Sequence, residues 1–193
     1  MGDIALNKTY DSIRRIHPQV FALWVSFGSI FMMFIALTSA YIVKQASGNW
    51  LEFLIPNEFY ISTVIILLSS LTLHGSYVSF NKEKEVPYKL LLVLSLILGA
   101  VFLVMQFRGW FTLFDNGIDL KGNTSGSFFY LITILHAAHI VGGIGAMIVA
   151  VLHAYTLKFK PTERRRIRFS LVLQYWHFVD ILWIFLFAFL LFI

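Results

Sequence analysis

The chain has 193 residues, 59% of them hydrophobic and 13% charged, with a formal net charge of +5 and no cysteine; its mean hydropathy is +0.78. A soluble domain carries about 25% charged residues, so this composition excludes a water-soluble globule and leaves an integral membrane protein with no room for a soluble domain. Without thiols the chain builds no disulfide, iron–sulfur cluster, thiolate zinc site or Cys-bridged copper centre of its own.

Only helices and closed barrels cross a bilayer, and the apolar runs here are continuous over about 20 residues rather than alternating. The pattern predicts an all-α bundle of five transmembrane helices. Met1–Pro18 is a short basic head with Lys8, Arg14 and Arg15. Its following apolar run is longer than a signal-peptide core, which predicts an uncleaved first span. The spans are expected at about 19–43, 58–80, 88–107, 127–157 and 171–193, together one transmembrane domain over 19–193. Loop one carries Gly48, Trp50 and Pro56; loop two, from Asn81 to Pro87, is short and charged. Loop three, Arg108 to Gly126, is rich in Gly and Asn, and loop four, Lys158 to Ser170, is strongly basic.

Lys8, Arg14, Arg15, Lys82, Lys84, Lys89, Lys158, Lys160, Arg164, Arg165, Arg166 and Arg168 all fall on one side of a five-span topology. Only Lys44, Arg108 and Lys121 fall on the other. This bias predicts a cytoplasmic N-terminus and a C-terminus outside, periplasmic in a bacterium. Basic residues beside spans answer to topology and anionic lipid rather than to nucleic acid. Arg164, Arg165, Arg166 and Arg168 are therefore candidates for lipid headgroup binding, with retention on the inner side as the plainer alternative.

Span four carries His136 and His139, three residues apart, and Ala138, Gly142 and Ala146 form a small-xxx-small stripe beside Gly143 for close helix packing. Span five carries Trp176, His177, Asp180 and Trp183, which helical spacing gathers towards one face. An ionisable carboxyl near mid-bilayer costs roughly 3 kcal/mol on insertion scales, so Asp180 is expected to face protein and have a partner. Antiparallel neighbours would bring His136, His139, His177 and Asp180 to similar depth. In the plainest reading these groups satisfy one another by hydrogen bonding and brace span five against span four. Competing readings make them a zinc or iron site, a proton path, or place a bis-His haem on His139 and His153 with His74 and His177 opposite. Thr38, Ser39, Ser69, Ser70 and Thr72 read as helix-packing groups.

The run from Tyr175 through Trp176-His177-Phe178-Val179-Asp180 to Leu186 resembles the closing segment of subunit III of the haem–copper terminal oxidases, cytochrome c oxidase and quinol oxidase. Gly126-Ser127-Phe128-Phe129, His136-Ala137-Ala138-His139 and Gly143 resemble its penultimate helix. Ser39-Ala40-Tyr41, Leu67-Leu68-Ser69-Ser70 and Gln106 match earlier helices in the family's order. The resemblance implies a short five-helix form in a bacterial cytoplasmic membrane, non-catalytic itself, within an enzyme that reduces O2 to water and pumps protons. It implies haems and copper in partner subunits and no catalytic, cofactor or metal-ligating residue in this chain. It further implies packing on subunit I, phospholipid held in an interhelical cleft, and membership of a respiratory supercomplex as an open question. Ile30 stands where the family often has a carboxylate, and Phe107-Arg108-Gly109 follows Gln106 where it often has a glutamate. Other classes compatible with the residues are a standalone transporter or ion carrier using the His/Asp cluster, and the related accessory protein of nitric-oxide reductases.

Overall fold

The computed structural model describes residues 18–193 apart from 49, 52, 121 and 161; the basic head, save Pro18, lies outside the described residues. Five helices follow one another: α1 (Pro18–Ala46), α2 (Asn57–Asn81), α3 (Glu85–Asp115), α4 (Thr124–Thr156) and α5 (Glu163–Phe192). Each is long and apolar enough to cross a membrane, and no strand occurs among the described residues. This is a multi-pass helical membrane protein.

Two helix ends differ from the expected spans. α3 runs on past Phe107 to Asp115, and α5 starts at Glu163 rather than near 171. Hydropathy marks the hydrocarbon-crossing core of a helix, whereas the backbone ladder continues into the interface, where charged side chains are solvated. Arg164, Arg165, Arg166 and Arg168 are thus on the first turns of α5 and not in a loop.

Helices α2 and α3 form an antiparallel hairpin, closed by a tight turn in which Glu83 takes a left-handed φ of 58°. The sequence builds this hairpin through regular spacing. Along α2 the buried positions Phe59, Ser62, Ile66, Ser69, Leu73, Ser76 and Phe80 alternate steps of three and four, and Ser70 is buried beside them on the side facing α5. Along α3 they are Tyr88, Leu92, Ser95, Gly99, Phe102, Gln106, Gly109 and Leu113, with the same alternation. A three–four repeat keeps one seam facing the partner helix over many turns. Lipid tails are as apolar as leucine, so close approach and hydrogen bonding, rather than water exclusion, hold such a seam. Ser69 Oγ donates to the Ser95 carbonyl at 2.9 Å, and Ser76 Oγ to the Tyr88 carbonyl at 2.9 Å. Gln106 Nε2 donates to Ser62 Oγ at 3.0 Å.

α4 packs on α3, and α5 packs on both α4 and α2, closing a four-helix ring. α1 lies outside it, against α4 and α5 and away from the hairpin. Asn123 caps α4, its Oδ1 accepting from Ser125 N–H at 2.9 Å. At the end of the bundle that holds the α2–α3 turn, Phe80, Tyr88, Phe159 and Phe169 form an aromatic floor. At the opposite end Tyr41 meets Trp50 and Phe189, and Gln45 Nε2 donates to the Ile193 carbonyl at 2.7 Å.

Candidate functional site

Trp176 and Trp183 are fully buried and lie seven residues apart on the ring-facing side of α5. The Trp176 indole fills the space left by two glycines. A Cβ on Gly99 of α3 would stand 2.9 Å from it, and one on Gly143 of α4 also 2.9 Å. Real Cβ atoms do not approach this closely, so only glycine admits the ring at both positions. Trp183 stacks over Phe59, edges onto Phe102, and donates Nε1–H to Thr63 Oγ1 at 2.9 Å. One tryptophan thus joins α5 to α3 and α4, and the other joins it to α2.

Gly143 therefore makes the close approach expected of the small-residue stripe, but its companions do not. Ala138 and Gly142 are exposed and Ala146 is only partly buried. Ala138 and Gly142 stand about 100° or more round the helix from the buried line His136, Ile140, Gly143 and Met147, and Ala146 lies at its edge. Nearest to Gly142 is the Tyr175 hydroxyl, which donates to the His139 carbonyl at 2.9 Å.

The four groups expected to satisfy one another are divided between different neighbours. His136 is wholly buried in an aromatic box of Phe34, Phe102 and Trp183, and neither ring nitrogen has a hydrogen-bond partner. The expected His136–Asp180 partnership is not formed. His139 Nδ1 hydrogen-bonds the Leu135 carbonyl of its own helix at 2.7 Å, and its ring lies edge-on to Phe34. His177 turns to α2 instead of α4: Ser70 Oγ lies 2.5 Å from its Nδ1, and the ring of His74 is 5.7 Å from its own. Asp180 is 2% exposed, and neither carboxyl oxygen has a partner in hydrogen-bond geometry. The Ser70 hydroxyl bonds His177, one helical turn before Asp180 on α5. The physical reason for the difference is the ring: α5 has a second polar neighbour in α2, and a helix pairs with every face it touches.

Among the described residues, no three His, Asp or Glu side chains converge so as to hold a metal ion. His153 lines a cavity at the end of α4 while His139 faces α1, and His74 faces His177, so the histidines do not oppose one another across a haem-sized gap. Ser70 and His74 are the residues missed as partners of the α5 cluster. Their signal is that Ser70 and His74 stand about one helical turn apart on α2, as His177 and Asp180 do on α5.

Of the basic residues on α5, Arg165 and Arg168 line a cavity of about 170 Å³ with His153, over the aromatic floor. Arg165 Nη1 donates to the Lys158 carbonyl at 2.8 Å. Arg166 instead pairs with Glu83 at 3.7 Å, and Arg164 is exposed.

A five-span bundle of this kind, with a buried polar interior and an aromatic–glycine lock on its last helix, defines a polytopic helical membrane protein. Residues 20–193 match the family model described as cytochrome c oxidase subunit III. The chain belongs to that family. It is 32% identical over 170 residues to cytochrome c oxidase subunit 3 of Corynebacterium diphtheriae, covering 84% of this chain and 82% of the relative. It is 31% identical over 173 residues to a probable cytochrome c oxidase subunit 3 of Nocardia farcinica, covering 86% and 82%. It is also 28% identical over 189 residues to the cytochrome bo(3) ubiquinol oxidase subunit 3 of Buchnera aphidicola, covering 95% and 90%.

Proposed function

We propose that this chain is subunit III of a haem–copper terminal oxidase of a bacterial cytoplasmic membrane, packing on subunit I, stabilising it and holding phospholipid. The observation that carries the reading is the family match over residues 20–193, which takes in all five helices but for the first residues of α1. In this reading the assembled enzyme reduces O2 to water and translocates protons, and its haems and copper sit in partner subunits. Cytochrome c is the favoured donor, because the relatives at 32% and 31% identity carry that name and the ubiquinol relative stands at 28%. The basic end of the bundle faces the cytoplasm by the charge bias.

Partner packing is supported by α1, whose outward side presents Phe21, Trp24, Phe31 and Met32. Lipid binding is supported by the cavity under Arg165, Arg168 and His153, an apolar pocket with a cationic rim. The test is affinity purification of the tagged chain from native membranes in mild detergent. Large haem-bearing subunits and an oxidase spectrum are expected in the eluate; elution alone, without haem, overturns the reading. Arg165→Ala combined with Arg168→Ala is expected to lower the anionic phospholipid retained per complex, measured by mass spectrometry.

A further inference from the structure

Two ionisable side chains in the bundle, His136 and Asp180, are buried without a hydrogen bond, and Asp180 is the acid of the two. Asp180 is buried in the membrane-crossing part of α5 with no N–H or O–H donor bonded to either carboxyl oxygen. A bare carboxylate in that position is the costliest state available, whereas the neutral acid carries a proton that it can donate. A route for that proton is at hand. The Ser70 hydroxyl is 2.5 Å from His177 Nδ1, and Asp180 follows His177 by one helical turn on the same helix. His177 is partly buried, and the ring beside it, His74, is exposed on the surface of the bundle. The acid, a hydroxyl and two imidazoles thus run from a closed interior to an open face between α2 and α5. His74 is seven residues from the end of α2, about 10 Å along the axis from the α2–α3 turn.

We propose that Ser70, His177 and His74 form a relay through which Asp180 exchanges a proton with the surface of the bundle. The Asp180 O–H passes its proton to Ser70 Oγ as the Ser70 hydroxyl proton moves to His177 Nδ1. The resulting imidazolium releases its Nε2 proton towards His74 and the surface, and the relay resets by ring reorientation. One proton leaves, a carboxylate remains at Asp180, and uptake is the reverse sequence. Side chains that face Asp180 from neighbouring helices do not compete for the role. α4 contributes His136, which lies behind Trp183 with no hydrogen bond of its own. α1 and α3 carry their ionisable groups only near helix ends: Tyr41 and Lys44, and Glu85, Tyr88, Lys89, Arg108 and Asp115. The relay does not depend on which oxidase, if any, the chain serves.

Infrared difference spectroscopy on the full chain, purified with whatever subunits accompany it, tests this directly. Subtracting the Asp180→Asn spectrum should isolate one carboxylic-acid C=O band, and rapid transfer into D2O should shift that band. Ser70→Ala and His74→Phe should each slow the shift by at least about tenfold while leaving circular dichroism and the band itself in place. Ser70→Thr, which keeps the hydroxyl, should restore the wild-type rate. A missing band, a wild-type band that does not shift, or equal rates in wild type and His74→Phe overturns the proposal. His74 is exposed, so its variant reports even if Ser70→Ala does not assemble.

Discussion

The α2–α3 hairpin and helix α1 have similar hydropathy but are attached in opposite ways. Along the hairpin every buried position except Ser70 falls on a seam, and small or polar side chains recur on it: Ser62, Ser69 and Ser76 on one side, Ser95, Gly99, Gln106 and Gly109 on the other. In α1 only Phe34, Thr38 and Tyr41 are buried. Its contacts are mostly aromatic, Phe27 stacked on Phe178 and Phe34 edge-on to two histidines, with two exposed hydrogen bonds, Trp24–Gln174 at 3.2 Å and Gln45–Ile193 at 2.7 Å. The lesson is that in a bilayer apolar surface alone does not choose a partner. Small residues let backbones close, and hydroxyls fix the register.

Substitutions can break or sharpen this contrast. The largest effect is expected from Gly109→Leu, because even a Cβ there would lie 2.5 Å from Phe59. It should cost about 3 kcal/mol or more and abolish cooperative unfolding in detergent titrations followed by circular dichroism. Replacing Ser62, Ser69 and Ser76 together by Ala removes three contacts across the seam and should cost about 2 kcal/mol in the same assay. Trp183→Phe keeps most of the packing but loses the bond to Thr63; a loss of about 1 kcal/mol is expected. At the other extreme, Gly28→Ala on α1, with nothing within 4 Å of its Cβ, should change stability by less than about 0.5 kcal/mol. A Gly28 effect as large as that of Gly109 would erase the distinction between the two regions.

Much of the architecture was readable in the residues. The five apolar runs gave five helices, because a run of that length has no other way to satisfy its backbone in lipid. The serine seam was also written there, seven residues apart at Ser62, Ser69 and Ser76, although only Ser69 was read as a packing group. Helix ends were less legible: Arg108 and Arg164 look like loop residues by charge, yet both stand on helices that outrun the hydrocarbon. At the candidate site, the sequence marked His136, His139, Trp176, His177, Asp180 and Trp183, and all except His139 and His177 are buried. What it did not specify was who meets whom. Periodicity tells which side chains share a face, not which helix lies opposite, and His177 met Ser70 across a ring closure that joins residues 107 apart in sequence.

The indole of Trp176, seated between Gly99 and Gly143, has a consequence for how this fold can vary in length. A single residue added to α5 before it would swing the ring about 100° out of its socket and displace Asp180 and Trp183 by the same angle. Insertions and deletions must then accumulate in the connecting segments, while the stretch from Leu173 to Leu186 behaves as a ruler whose markings cannot be moved one at a time.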